Sequence, residues 1–185
     1  MSKLPDGPWQ QLSVDFYTLP NGEEALVVID DFSRFPEVIP VKSTATATVI
    51  KALEDIFSRH GYPLTIRSDN GPSFNGRMLS EYFSHRGIHN RKITPLWPCA
   101  NGEAERFMRT LNKFMCTTKA ANLNWRDAIS SFLLNYRATP HTTTGFSPSQ
   151  LLYNREIKGK LPMLSKNIGV HQGPDAVKET RPNKR

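Results

Sequence analysis

The sequence predicts a mixed α/β domain, with helices covering both faces of a central sheet. Three observations carry this reading. Residues 12–41 read as three strands joined by short turns, a meander that needs no helix. Beyond them, helical and strand patterns alternate along the chain. The hydrophobic fraction is 38% in 185 residues, enough for one sizeable packed core and a tail.

The elements follow in order. Leu12, Val14 and Phe16 alternate with Ser13, Asp15 and Tyr17, the period of a strand with two different faces. Pro20-Asn21-Gly22 is a turn signal. Ala25 to Ile29 is a continuous apolar run, a strand buried on both sides. Asp31 to Arg34 turns the chain into a third strand, Phe35 to Val41, with Asp31 the expected cap of that turn. Ser43 or Thr44 offers an N-cap to a helix in which Val49, Ile50, Leu53, Ile56 and Phe57 keep helical spacing, ended by Gly61 and Pro63. Leu64-Thr65-Ile66 is a short strand that stops at Ser68-Asp69-Asn70-Gly71. Met78, Leu79, Tyr82 and Phe83 mark a second helix closing near Gly87, and Arg91 to Thr94 a short strand. Two long helices come next, from Glu103 to Lys119 and from Asn124 to Ala138; Asn124 with Asp127 resembles a capping box. The second carries Phe132, Leu133 and Tyr136 on an apolar stripe read as core. Ser147-Pro148 caps a last short helix through Tyr153. Residues 1–8 read as a leader, 9–162 as the domain, and 163–185 as a basic, mobile tail.

Composition narrows the partners. Lys and Arg number 24 against 17 Asp and Glu, a net charge of +7, which favours a polyanion, nucleic acid first. Cys99 and Cys116 are too few for a disulfide framework or a four-cysteine zinc cluster and suit a reducing compartment. No apolar run reaches the roughly 18 residues of a membrane span, so no membrane partner is expected.

Three carboxylates carry the chemistry. Asp15 lies within the first strand, Asp69 follows a strand end beside Asn70-Gly71, and Glu105 opens a helix in Asn101-Gly102-Glu103-Ala104-Glu105-Arg106, with 35 residues between the last two. Phosphodiester exchange requires neutralisation of charge on an attacking and a leaving oxygen, which two hard cations about 4 Å apart can provide. Magnesium takes carboxylate oxygens and keeps several waters, so few protein ligands suffice. At 100° per residue, Ala104, Phe107, Met108, Leu111 and Met115 share one face of the helix from Glu103. Glu105, Arg109, Asn112 and Lys113 share the other, with Arg106 at its edge. The bland reading of that face is a solvated surface with a Glu105–Arg109 pair. Asp30, Asp31 and Glu103 compete as carboxylates, and spacing does not choose between Glu103 and Glu105.

Val14-Asp15-Phe16, Asp31-Phe32-Ser33-Arg34-Phe35, Ser68-Asp69-Asn70-Gly71-Pro72-Ser73-Phe74 and Asn101-Gly102-Glu103-Ala104-Glu105-Arg106 together resemble the catalytic core of retroviral and retrotransposon integrases. Asn135-Tyr136-Arg137-Ala138-Thr139-Pro140-His141, Gly145-Phe146-Ser147-Pro148 and Leu151-Leu152-Tyr153-Asn154-Arg155 are similar to the gypsy-type branch. The resemblance covers about residues 8–162. It implies a ribonuclease-H-like fold with a five-stranded mixed sheet. It implies a catalytic, metal-holding triad of Asp15, Asp69 and Glu105, the last over Glu103, with two Mg²⁺ or Mn²⁺ ions. It implies DNA contacts at Asn70, Asn101, Arg106, Arg109, Asn112 and Lys113. The implied reaction is DNA integration: water, then a DNA 3′-hydroxyl, attacks phosphodiesters in line. The implied partners are double-stranded DNA, as element ends and target, and further copies of the chain; the implied place of action is the nucleus, after passage through the cytoplasm. The sequence departs from the family at Trp97-Pro98-Cys99-Ala100, where His-Pro-Gln is usual, and Cys99 is a poor magnesium ligand. No His-His-Cys-Cys set precedes Asp15, so no zinc is expected, and little follows Pro162 for a further DNA-binding module. The competing expectation is a catalytically silent, host-captured or decayed module that binds DNA or itself. A hybrid-cleaving nuclease on the same fold fits the spacing and the gypsy-like segments less well.

Overall fold

The computed structural model describes residues 5–19, 21–92 and 102–159, the first three of the last run by backbone alone. Strand β1, Gln11–Thr18, pairs antiparallel with β2, Glu24–Asp30, which pairs antiparallel with β3, Pro36–Val41. Helix α1, Thr46–His60, then carries the chain across to β4, Thr65–Ser68, which lies parallel to β1 on its other side. A single turn of helix, α2 at Pro72–Asn75, and α3, Arg77–His85, lead to β5, His89–Lys92, parallel to β4. The sheet order is β3-β2-β1-β4-β5. Helices α4, Gly102–Ala120, α5, Trp125–Ala138, and α6, Pro148–Tyr153, complete the domain.

The alternation along β1 divides the interior. Leu12, Val14 and Phe16 join Leu26, Val28 and Ile66 beneath α1 and α3, where Val49, Leu53, Ile56, Leu79 and Phe83 close the layer. On the opposite face Ala25, Val27 and Ile29 meet Phe107, Leu111 and Met115 of α4 and Leu133 of α5. The β2 run is therefore buried on both sides, as its unbroken apolar sequence predicts. The polar residues of β1, Ser13, Asp15 and Tyr17, fall on the α4–α5 side by the same period of two.

Several local expectations change. Helix α1 begins after Ala45, which makes no side-chain cap; Ser43 Oγ instead lies 3.0 Å from Thr48 Oγ1, so neither Ser43 nor Thr44 caps it. Met78 is 56% exposed, because α3 turns only Leu79, Tyr82 and Phe83 inward. On α5, Leu133 is core, whereas Phe132 and Tyr136 are half-buried and, with Phe114, line an open groove against α4. Ser147 caps α6 through Gln150 N–H, as predicted, and Asn124 caps α5 through Arg126 N–H, without the return bond from Asp127 that a capping box would add.

The cap of the β2–β3 turn is Asp30, not Asp31. Asp30 Oδ2 accepts from Ser33 N–H at 2.9 Å and from Ser33 Oγ at 2.6 Å, and its Oδ1 accepts from Trp9 N–H at 3.1 Å. Asp31 points into the α4–α5 side of the sheet, where its carboxylate accepts from Gln11 Nε2 and Ser13 Oγ, each at 2.6 Å, and from Arg67 Nη1 at 3.1 Å. Period-two alternation at the end of β2 puts the two neighbours on opposite sides, and only Asp30 can reach the turn amides.

Burial pushes the Asp30 carboxyl up to about 6, against the pull of its Ser33, Phe32 and Trp9 donors. A carboxyl raised in the folded state stabilises the fold most below its unfolded value of 3.8, and that contribution is lost as pH rises through about 6. Asp30→Asn should therefore show a smaller fall in Tm than the parent between pH 4 and pH 7, measured by calorimetry. Equal slopes would contradict the assignment.

Candidate active site

The β1–β4 register builds the site. Gln11 faces Thr65 and Ser13 faces Arg67 in this parallel pair. Carried two residues further, the same register sets Asp69 opposite Asp15. Strand β4 ends at Ser68, so β1 runs on past it and leaves an open edge at the carboxyl end of a parallel strand. Open α/β sheets bind ligands at such ends.

Asp15 senses the charge of Asp69. Burial pushes the Asp15 carboxyl above its ordinary range; the Phe16 N–H, 2.8 Å from its Oδ1, works the other way, and the charge of Asp69 adds to the rise. Asp15 is half-buried on a central strand, and Asp69 is exposed on the turn. Gly71 N–H donates to Asp69 Oδ1 at 3.0 Å, and a Cβ at Gly71 would stand 3.0 Å from that same oxygen. Glycine there lets the backbone close beneath the carboxylate.

Lys92, which sequence reasoning missed, ends β5 beside this turn. Its ammonium donates to Phe74 O and lies 3.4 Å from Ser68 Oγ. Burial pushes that ammonium below its ordinary range, while the charge of Asp69 pulls it upward. The signal was in the sequence as a basic residue at the end of the strand after the Asp69 turn, but only the Ser68–Lys92 register makes it a neighbour.

Helix α4 presents the predicted face. Phe107, Leu111 and Met115 are buried, while Glu105, Arg106, Arg109, Asn112 and Lys113 are exposed. Tyr17 Oη donates to Asn112 Oδ1 at 2.9 Å, tying this face to β1 two residues beyond Asp15. Asn112 is thus engaged by the protein itself. Glu105 precedes Asn112 by seven residues, two turns along the same stripe. Among the described residues, however, no three Asp, Glu, His or Cys groups stand close enough to hold one ion. The structure brings Asp15 and Asp69 together and leaves Glu105 on the exposed first turn of α4. Asn70 is exposed beside Asp69. Asn101, Cys99, the Glu103 side chain and the tail at 163–185 lie outside the described residues.

Over residues 5–98 the chain matches the integrase core domain family. The chain belongs to the integrase core family. An uncharacterized protein of Caenorhabditis elegans is 34% identical to this integrase core over 162 residues, 87% of this chain and 13% of that protein. The Gag-Pol polyprotein of walleye dermal sarcoma virus is 34% identical over 160 residues, 84% of this chain and 9% of the polyprotein. The integrase core thus spans a small part of the curated relatives it matches. Among solved structures, the simian T-cell lymphotropic virus intasome superposes with a TM-score of 0.73 at 20% identity, over 91% of this chain and 61% of that one. The BIV integrase catalytic core domain gives 0.68 at 19%, over 79% of this chain and 95% of that one. The HTLV-2 integrase catalytic core domain in complex with magnesium, in a trimeric form, gives 0.63 at 23%, over 79% of this chain and 97% of that one. These likenesses identify the fold as ribonuclease-H-like, with the five-stranded mixed sheet the sequence implies.

Proposed function

We propose that this chain is the polynucleotidyl-transferase core of a retroelement integrase, cutting and joining DNA phosphodiesters for DNA integration. The observation that carries the reading is the Asp15–Asp69 pair across the β1–β4 edge, two carboxylates drawn together with one of them desolvated. Such a donor set fits a hard divalent cation, Mg²⁺ or Mn²⁺, which is commonly held by one or two carboxylates together with substrate phosphates. The HTLV-2 core's complex with magnesium supports the same choice. A bound divalent cation supplies charge neutralisation at the reacting phosphate and lowers the pKa of the attacking group.

The chain's own residues do the rest. Asp15 is the rigid ligand, held in the central strand by its pairing with Val27 of β2. Asp69 is the ligand on a turn, held by Gly71 N–H. Glu105, exposed on the first turn of α4, is the third acid. Arg109 and Lys113 extend along the same exposed face and would meet the phosphate backbone. Two ions, 3′-end processing followed by strand transfer, self-association and nuclear action complete the reading. The simian virus intasome and the trimeric HTLV-2 form support assembly of several copies.

Incubation of the chain with a branched DNA that mimics a strand-transfer product, beside an RNA–DNA hybrid, tests the reaction class. Metal-dependent resolution of the branch with the hybrid left intact is the expected result; cleavage of the hybrid alone would point to a nuclease. The separation of Glu105 from the acid pair favours a second reading, a module that holds DNA without cutting it. Binding with neither substrate cut would select that reading.

Arg109→Ala and Lys113→Ala should each weaken DNA binding and reduce the slope of log affinity against log salt by about one. A filter-binding series across salt concentrations measures it, and an unchanged slope would remove these residues from the interface.

A further inference from the structure

Lys92 sits where a purely edge-protecting lysine would not. Strand β5 is the sheet edge beyond β4, and a lysine that only guards an edge reaches into water. Along β5, His89 and Arg91 are exposed, whereas Asn90 and Lys92 turn inward by the period of two. The Lys92 ammonium is half-buried, and it makes no ion pair with a described residue. It spans instead the two flanks of one turn, with Ser68 Oγ on the near side and the Phe74 carbonyl on the far side. Between these flanks lie Asp69, Asn70 and Gly71, and then α2.

Few other contacts tie that segment to the rest of the domain. Helix α2 is a single turn whose Gly71 cap supplies no side chain, and Asp69 and Asn70 are exposed. Its anchors to the rest of the domain are the buried Phe74 ring, 5.2 Å from that of Phe16, and Thr46 Oγ1, which donates to Ser73 O at 3.3 Å; within the segment Asn75 Nδ2 donates to Asn70 O at 2.5 Å and Gly71 N–H to Asp69 Oδ1 at 3.0 Å. A catalytic carboxylate on so short a turn needs its backbone fixed, because misplacement of about 1 Å can cost about a hundredfold in rate.

We propose that Lys92 is a positioning residue that clamps the Asp69-bearing turn, bridging Ser68 and Phe74 from the end of the neighbouring strand. It acts through the backbone on either side of Asp69 and not by touching DNA. This inference rests on the reading of Asp69 as a site carboxylate.

The test compares the full chain with Lys92→Met and Lys92→Arg, by amide hydrogen exchange and by turnover of the branched DNA. The amides of Phe74 and Asn75 both donate to Gly71 O and report directly on the clamp. Lys92→Met should speed exchange at these two amides by about tenfold, with the α1 amides unchanged, since local opening is independent of global unfolding. It should lower kcat by about tenfold or more at a nearly constant KM for DNA. Lys92→Arg should restore much of both. Unchanged exchange at Phe74 and Asn75, or an equal rise throughout the protein, would overturn the proposal. A raised KM with kcat intact would also overturn it, by making Lys92 a phosphate contact. Should the parent chain turn over no DNA, the catalytic reading fails on its own, and the exchange measurement still decides the clamp.

Discussion

Asp69→Asn is expected to abolish metal-dependent resolution of branched DNA, by about a thousandfold or more, or about 4 kcal/mol of transition-state stabilisation. Asparagine keeps the shape and can still accept the Gly71 N–H, so the turn survives. It lacks the charge that a hard cation selects. The fold should not suffer. Asp15 is pushed toward its neutral form by burial, with the charge of Asp69 adding to that push, so removing that charge relieves a repulsion already present. Tm should hold or rise at neutral pH while activity disappears, since sites shaped for function carry strain that inactivating changes release. A parallel fall in Tm and rate would mean that Asp69 serves the fold. Retained activity would remove it from the site.

Asp31→Ala is expected to do the reverse and damage the fold. Asp31 and Arg67 are 7% and 6% exposed at their side chains, and the bond between them joins the end of β2 to β4 across β1. The Asp31 carboxylate also receives Gln11 and Ser13 from β1. Its removal takes the carboxylate from a buried guanidinium and the acceptor from two further side chains. Breaking such a pair from one side costs about 3–5 kcal/mol. For a chain of this length that is on the order of 10 °C in Tm. Urea denaturation of Asp31→Ala, with Asp31→Asn to retain one acceptor, measures it. A loss below about 1 kcal/mol would show that the network is dispensable.

The sequence made the main elements legible because their signals are local and redundant. The alternation of Leu12 to Tyr17 and the apolar run of Ala25 to Ile29 each specify a strand and its faces. The spacing of Phe107, Leu111 and Met115 specifies the buried side of α4, and with it the outward direction of Glu105 and Arg109. What the sequence leaves open is settled by contacts between distant segments. Asp30 and Asp31 are adjacent acids, and which of them caps the turn depends on Arg67, Gln11 and Ser13 lying on one face. The helical wheel puts Asn112 on the face of Glu105 and Arg109, but does not show the bond its oxygen accepts from Tyr17, 95 residues away. Lys92 is marked locally only as a basic residue at a strand end, and its neighbours Ser68 and Phe74 come from the preceding β-α unit. The acid pair itself was legible as two motifs, and the parallel register of β1 with β4 is what brings them to one sheet edge.

The central claim is that Asp15 and Asp69 form a single cation site at the carboxyl end of β4. Titration of Mn²⁺ into the isotope-labelled chain, followed by paramagnetic broadening of its amide resonances, tests it most directly. The account predicts that the signals of Asp15, Phe16, Asn70 and Gly71 broaden first and together, and that Asp69→Asn removes the effect. Broadening elsewhere on the surface, or the same pattern persisting in Asp69→Asn, would contradict it.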